Sequence, residues 1–448
     1  MTAKQIITDK EHERLLQEIF SSQPLHGATT LTIGDTPCAE NFSGFGVAIT
    51  GASCYLLSKM EQDKRTALLK QIYSKDGLGL SVGRLSIGAS DYSAELYSYD
   101  DVPFDTELKH FSIAHDLAYV IPMIQEILKI NPDLYLFASP WSPPGWMKTG
   151  GSLGGGYMRN EFVDCYAEYI IKYLKAYAEH SITVRAITPQ NEPDTWQGGR
   201  MPACVWHPET EANFIRSLRE KLRREDMNTE IWIFDHNFKN AAPRVLWALD
   251  NCAGLKESCN AVAFHYYSGC IEDTCCIRKA HPELKLHFTE GGPRLYDNYD
   301  TDWCKWGMMI TKALTHGYSS FTGWNLILNE LGGPNVGPFF CGGLVTEHSV
   351  TGEFNYSGQY KAFAHIAPYI NKDSKIYPVT VNDAFGQSMA QYPKLQREVC
   401  GFLIENSGGK RTMILINPNT DKVQTQFFLN GTWWYAELMT DSISTLLF

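Results

Sequence analysis

Short apolar, β-branched runs recur along most of the chain, each nearly continuous in apolar character and ended by polar or small residues. Such runs predict strands buried on both faces, the pattern of a parallel sheet. Eight stand out: FSGFGVAIT ending near Thr50, LSVGRLSIGAS near Ser86, LYLFASP near Ser139, TVRAITPQNEP near Gln190, IWIFDHN near Asp235, AVAFHYY near Phe264, KLHFTEGG near Thr289 and FTGWNLIL near Trp324. Between them, helical periodicity covers Lys59 to Ser74, Ala118 to Ile130, Glu161 to His180, Glu209 to Arg224 and Trp303 to His316. The stretch GCIEDTCCIRKAHPE is short and poor in helical period, which predicts an irregular crossover after the sixth strand. Eight strand and helix units in about 280 residues predict an α/β fold, a (β/α)8 TIM barrel, which typically takes about 250 residues.

The texture changes after the helix-like Tyr360 to Ile370. The runs CGFLIEN, TMILINP, QTQFFLN and TWWYAEL, separated by Gly, Asn, Pro and Asp turns, predict a companion β-sandwich. Residues 25 to 40 are also strand-like and complete that sandwich from the other end of the chain. The leading MTAKQIITDKEHERLLQEIF reads as a charged amphipathic helix around residues 9 to 20. The expected domains are therefore 1–40, an N-terminal helix and strand joining the sandwich, 41–370, the catalytic barrel, and 371–448, the C-terminal β-sandwich.

Composition narrows the function classes. Apolar residues at 44% and charged residues at 20% are values of a soluble globular chain, and no window approaches the roughly 20 apolar residues of a membrane span. The net charge of -11 is spread along the chain and disfavours a nucleic-acid partner. No apolar stretch of signal-peptide length opens the sequence, which predicts a cytoplasmic protein. The 12 Cys lack paired metal-ligand spacing, and the densest group, Cys270, Cys275 and Cys276, has adjacent thiols that make a poor zinc site. Reduced thiols, no metal and no cofactor are expected. The 11 Trp and 23 Tyr suit stacking on sugar faces as well as core packing.

In such a barrel the active site lies at the C-terminal ends of the strands. The polar and aromatic residues falling there are Arg84, Asp91, Trp141, Asn191, Glu192, His265, Tyr267, Glu290 and Trp324. Glu192 follows its strand inside Asn-Glu-Pro, and Glu290 follows its own inside Thr-Glu-Gly-Gly. They lie 98 residues apart, which at roughly 30 residues per unit places them on strands four and seven, facing each other across the mouth. Hydrolysis of a glycoside needs such a pair, one carboxyl to protonate the departing oxygen and one to attack or support the anomeric carbon. The charge of Glu290 is expected to raise the pKa of Glu192 and keep it protonated. Blander readings stand beside these: Asp91 as a turn cap in Ser-Asp-Tyr-Ser, Trp141 and Trp324 as core anchors, Arg84 as an interior charge partner and His265 as a structural donor.

Six motifs in order resemble those of glycoside hydrolase family 30, which contains the glucosylceramidases: RLSIGASDYS, LFASPWSPPGWMKTGG, ITPQNEP, FHYY, HFTEGG and TGWNLIL. The resemblance implies Glu192 as acid/base and Glu290 as nucleophile of a covalent glycosyl-enzyme, hence retention of configuration. It also implies Asn191 on the sugar 2-OH, Asp91, Trp141 and Trp324 around the glycone, Tyr267 positioning the nucleophile with Arg84 as charge partner, and His265 in support. A companion β-sandwich and a non-proline cis peptide beside Trp324 are implied too. The substrate read from this is a terminal β-linked sugar, glucosides first and xylosides second. The alternatives are an endo-acting β-1,6-glucanase or xylanase and a non-catalytic carbohydrate-binding barrel. The loops Asp194 to Trp206 and Asn329 to Gly343 discriminate exo from endo action.

Overall fold

The computed structural model describes residues 2–382 and 398–448. It opens with an antiparallel hairpin, β1 (Thr2–Thr8) and β2 (Leu15–Ser22), with Ile6 opposite Leu16. The helix expected over residues 9 to 20 is therefore replaced by a turn and a strand. Asp9 closes the turn, its Oδ1 accepting from the backbone N–H of Glu11 at 2.8 Å and of His12 at 2.7 Å. Along β2 the environment alternates, with Leu15, Gln17 and Ile19 inward and Leu16, Glu18 and Phe20 exposed, a period of two that the charged turn disguises as a helical one.

After β3 (Thr29–Ile33) the chain builds β4 (Gly44–Ala48), α1 (Gly51–Lys59), α2 (Gln62–Tyr73), β5 (Val82–Ile87), α3 (Ala114–Leu117), α4 (Val120–Ile130), β6 (Tyr135–Pro140), α5 (Val163–Glu179), β7 (Val184–Ile187), α6 (Pro208–Arg224), β8 (Glu230–Asn237), α7 (Phe238–Asn251), β9 (Ala261–His265), α8 (Cys275–Ala280), β10 (Lys285–Glu290), α9 (Trp303–Thr315) and β11 (Ser320–Gly323). Strands β4 to β11 pair in sequence and close into the eight-stranded barrel. The crossover after β9 is a 3-10 turn and the six-residue α8. Helix α7, which the periodicity did not indicate, carries Pro243 inside it. Among the described residues no helix is long and apolar enough to cross a membrane.

Two irregularities in the barrel set the geometry of its mouth. Tyr135, Trp232 and His287, from the alternate strands β6, β8 and β10, stack in one layer, with His287 and Trp232 at 3.7 Å. Phe288 points the other way, 6.1 Å from Phe238 of α7. Strict alternation would return Thr289 to the interior and send Glu290 out. Instead the register against β9 slips after Phe288, Thr289 is left unpaired, and Glu290 comes level with His265. Strand β8 slips in the same way, leaving Asp235 unpaired, with Phe234 and Asp235 at φ of 78° and 51°. Bulges of this kind re-aim side chains at barrel rims. The two unpaired residues then bond each other, Thr289 Oγ1 donating to Asp235 Oδ1 at 2.6 Å.

Beyond the barrel lie a small sheet of β12 (Ile327–Asn329), β13 (Val345–Glu347) and β14 (Phe354–Tyr356), then α10 (Gly358–Ile366) and β15 (Lys375–Asn382). The chain ends in β16 (Cys400–Glu405), β17 (Arg411–Asn417), β18 (Val423–Leu429), β19 (Thr432–Leu438) and β20 (Ser442–Leu447). The companion β-unit joins strands from both chain ends in the order β1-β2-β19-β18-β3-β15-β16-β17-β20, closed by β1 against β20. Its core includes Ile19, Leu31, Met413, Leu415, Phe427, Trp434 and Leu446. By packing, this unit comprises Met1–Gly44, Tyr296–Ser319 and Tyr356–Phe448, so α9 and α10 belong to it, and Phe45–Leu295 with Ser320–Asn355 form the other. Gly307 lets α9 approach the sheet: a Cβ there would stand 3.0 Å from Ile416 Cγ1 and 3.3 Å from Ile443 Cδ1.

Each unit buries a neutral histidine. His287 has Nδ1 2.8 Å from Ser320 Oγ, while its Nε2 has no hydrogen-bond partner, so a proton there would be an unpaired buried charge. His365 lies between Thr8 Oγ1 and Thr445 Oγ1, each at 2.8 Å. Burial pushes both pKa values down to about 3. With the unfolded value near 6.5, the unfolded chain binds the extra protons, and stability is lost as pH falls from that value toward 3. We expect each histidine to contribute up to about 1.4 kcal/mol of loss per pH unit across that window. Urea midpoints at pH 7, 5 and 4 measure it, and the pH slope should shrink in His365→Leu and His287→Phe.

Candidate active site

At the C-terminal mouth of the barrel Asp235 is fully buried on the β8 bulge. Its Oδ2 accepts from Arg84 Nη2 at 2.7 Å, Thr188 Oγ1 at 2.7 Å and Ser139 Oγ at 2.9 Å. Its Oδ1 accepts from Thr289 Oγ1 at 2.6 Å and faces His265 Nε2 at 3.0 Å. Burial opposes its ionisation, but Arg84 and then His265 hold the carboxyl far below the usual carboxylate range. Arg84 is equally buried and divides its guanidinium between two strands' carboxylates, Nη1 donating to Glu290 Oε2 while Nη2 serves Asp235 and, at 2.9 Å, Asn191 Oδ1.

The two glutamates meet across one imidazole. His265 Nδ1 lies 3.3 Å from Glu192 Oε1, and its Nε2, bonded to Asp235, lies 3.8 Å from Glu290 Oε2. Burial disfavours the imidazolium, yet Glu290 and the bonds to Asp235 and Glu192 push its pKa up to about 9. Glu290 is fixed from its other side by Tyr267, whose Oη donates to Oε1 at 2.9 Å. Burial and the Glu290 charge hold that phenol well above its ordinary pKa, so it remains a donor. Glu192 departs from expectation. Burial raises its pKa, but His265, His236 with Nε2 at 3.8 Å, and a bond from Gln197 Nε2 to Oε2 hold it below the usual value. The proximity of Glu290 acts through His265, which charges and thereby favours the Glu192 carboxylate.

Backbone geometry at the mouth is unusual in the same places. Glu192, Asp235 and Asn325 all adopt positive φ, at 52°, 51° and 62°, conformations that cost non-glycine residues roughly 1–3 kcal/mol. The Glu192 N–H bonds the Asp235 carbonyl at 3.0 Å, which ties the ends of β7 and β8. Among the described residues the cis bond is Gly333-Pro334, and none flanks Trp324. The chain there reverses through Asn325, whose Oδ1 accepts from Thr50 Oγ1 at 2.9 Å.

Trp141 and Trp324 stack at 5.1 Å and back onto Arg84, whose Cζ lies 4.9 Å and 5.5 Å from their rings. Both are almost wholly buried in one cluster with Tyr92 and Met201, so they stand as a packed wall that offers an edge to the mouth. Asp91 lies beside them, 5% exposed, and its Oδ1 has no hydrogen-bond partner. Burial, then the charges of Glu290 and Glu192, raise its pKa well above the carboxylate norm. The loop after β12 closes over it: Val336 N–H bonds the Asp91 carbonyl at 2.7 Å, and Tyr92 Oη donates to Phe339 O at 3.0 Å. The loops after β6 and β7 are stapled by Lys148, whose buried ammonium donates to the carbonyls of Leu153, Gly155 and Ala203 at 2.7–2.8 Å.

All nine residues singled out from the sequence gather at this mouth. Sequence reasoning missed Asp235, His236, Gln197, Thr289 and Lys148. Strand alternation turns Asp235 toward the helices, and only the bulge brings it in. Gln197 had one signal, the run Gln-Gly-Gly in which all three residues take positive φ. Lys148 had none, since a lysine in a Gly-rich loop reads as solvated.

The comparisons with known proteins bear on the family and the fold. The model of the glycosyl hydrolase family 30 TIM-barrel domain matches residues 42–370. A Caenorhabditis elegans protein provisionally named glucosylceramidase 3 is 30% identical over 77% of this chain and 70% of its own length. An endo-1,6-β-D-glucanase of Neurospora crassa is 29% identical over 82% of this chain and 80% of its own. The crystal structure of SrfJ from Salmonella typhimurium, 24% identical, superposes with a TM-score of 0.88 over 100% of this chain and 99% of that one, a likeness of fold. The chain belongs to glycosyl hydrolase family 30.

Proposed function

We propose that this family 30 hydrolase is a retaining, exo-acting β-glycosidase, a glucosylceramidase-like β-glucosidase. In this reading Glu290 is the nucleophile and Glu192 the acid/base. The observation that carries it is the convergence of the two carboxylates on one imidazole, His265, while Arg84 and Tyr267 clamp Glu290 from both of its oxygens. A retaining mechanism asks one carboxylate to attack as a nucleophile, the role that a carboxylate held by two donors suits. Glu290 attacks the anomeric carbon as Glu192 gives its proton to the departing oxygen. In the second half Glu192, now a carboxylate, takes a proton from the water that displaces Glu290. Arg84 and Tyr267 hold one Glu290 oxygen toward the sugar without a rotamer search.

Asp91, whose Oδ1 has no hydrogen-bond partner, is suited to take one from a sugar hydroxyl. Asn191 gives its Oδ1 to Arg84, which leaves its amide N–H groups for the 2-OH. The loop clasped over Asp91 and Tyr92 favours a blind glycone pocket and hence attack on terminal sugars. The Neurospora relative supports a second reading, endo action on β-1,6-glucan, in which the same pocket takes one end of a cut inside the chain. A panel of nitrophenyl β-glucoside, nitrophenyl β-xyloside and β-1,6-glucan separates them. Exo action releases only monosaccharide; oligosaccharides as first products from the glucan would install the second reading.

Mechanism is tested with azide as a surrogate nucleophile. Glu192→Ala with azide should give the β-glucosyl azide, and Glu290→Gly with azide the α-anomer. Inverted product from the wild type would sink double displacement. His265 has its folded pKa raised to about 9, so its stabilisation is complete below about 6.5, the unfolded value, and lost as pH rises through 9. Asp235→Asn removes one carboxylate from His265 and from Arg84. We expect it to destabilise the fold at pH 7 by about 3 kcal/mol, in urea unfolding, and to bring the alkaline loss of stability to lower pH.

A further inference from the structure

Glu192 is over-supplied with donors for a group that must itself donate. The His265 imidazolium, bonded to Asp235 through Nε2, presents Nδ1–H to Oε1, and Gln197 Nε2 presents its N–H to Oε2. Both oxygens accept, which is the hydrogen bonding of a carboxylate. A proton on Oε1 would point at His265. A proton able to reach a glycosidic oxygen therefore belongs on Oε2, the atom that Gln197 occupies.

Gln197 sits on the Glu192 oxygen that a leaving group must reach in the proposed reaction. It belongs to the loop after β7, next to Trp196, which is 61% exposed. Left-handed backbone at Gln197, Gly198 and Gly199, with φ of 51°, 61° and 67°, bends this segment back over the acid. The loop is rooted on its neighbour, where a Cβ on Gly155 would stand 3.1 Å from the Trp196 carbonyl. The root is fixed and the tip is solvent-facing.

We propose that Gln197 is a positioning residue that holds Glu192 as a carboxylate in the resting enzyme and yields Oε2 when a leaving group settles at Trp196. Proton uptake on Oε2 then accompanies substrate binding. This rests on Glu192 being the acid/base. The titratable groups facing Glu192 are His236 from β8 and His265 from β9, with Glu290 of β10 behind His265 and Asp91 across the pocket. None of them lies in the loop, so changing Gln197 leaves that field in place.

The test compares two β-glucosides, an alkyl one that needs protonation of its leaving oxygen and a 2,4-dinitrophenyl one that does not. Their kcat/KM against pH is measured for wild type, Gln197→Met, Gln197→Glu and Glu192→Ala. Gln197→Met removes the donor at similar size, and Gln197→Glu adds a like charge. The alkaline limb with the alkyl glucoside should move up by about one pH unit in Gln197→Met and further in Gln197→Glu, because each favours the protonated acid. The dinitrophenyl limb should stay. Limbs that do not move, or equal loss on both substrates, overturn the role of Gln197. Glu192→Ala should slow the alkyl substrate at least a hundredfold more than the dinitrophenyl one. Equal slowing there would instead remove Glu192 as the acid, whatever the Gln197 variants do.

Discussion

Everything at the barrel mouth depends on the buried pair of Asp235 and Arg84. Neither has solvent to fall back on, and burying two charges costs more than their attraction returns unless hydrogen bonds complete the set. Here they do. Ser139, Thr188 and Thr289 fill the remaining positions on Asp235, so β6, β7 and β10 are all tied to one carboxylate on β8. The guanidinium then has one arm left, and it goes to Glu290. Glu290 is thus placed by a chain of charge satisfaction that begins at Asp235.

That constraint also explains the strained backbone. A regular β8 would point Asp235 at α6 and α7, where an unpaired carboxylate would be costly. The bulge at Asp235 turns its carboxyl inward, where Thr289 meets it, and the bulge at Thr289 turns Glu290 toward the mouth. The expense in φ at Phe234, Asp235 and Glu192 is local, while the hydrogen bonds on Asp235 reach Arg84 on β5, Ser139 on β6, Thr188 just past β7, His265 on β9 and Thr289 on β10.

These features mark how far the sequence could be read. Eight buried strands are legible because each is a short apolar run with a polar end, and Glu192 and Glu290 are legible because Asn-Glu-Pro and Thr-Glu-Gly-Gly sit at those ends. Asp235 was visible only as the end of IWIFDHN; its direction depends on an extra residue that no period records. The N-terminal hairpin fails for a related reason. Over a dozen residues interrupted by a charged turn, Leu15, Ile19 and Phe20 satisfy a helical spacing as well as a strand's, and the choice is made by pairing partners, β1 and β19, one of them more than 400 residues away in the chain. Helix α9 is a helix by its own pattern, yet its place in the β-unit is set by Gly307 against Ile416 and Ile443, residues that no local pattern connects.

The protonation of Glu192 follows from the same network. His265 is charged because Asp235 and Glu290 flank it, and a charged His265 stabilises Glu192 as a carboxylate. Within the double-displacement reading, this resting state is ready for the second half of the reaction, where Glu192 must be a base, and unready for the first. An enzyme with one group serving both halves must shift its pKa between them, and neutralising Glu290 by glycosylation is one such shift: it takes away the largest influence raising the His265 pKa, weakens the imidazolium and alters the field on Glu192. The first half has no such covalent trigger, because Glu290 is still charged when the substrate binds. Only a change brought by the substrate itself can act there, and the side of Glu192 open to it is the one that faces the loop after β7.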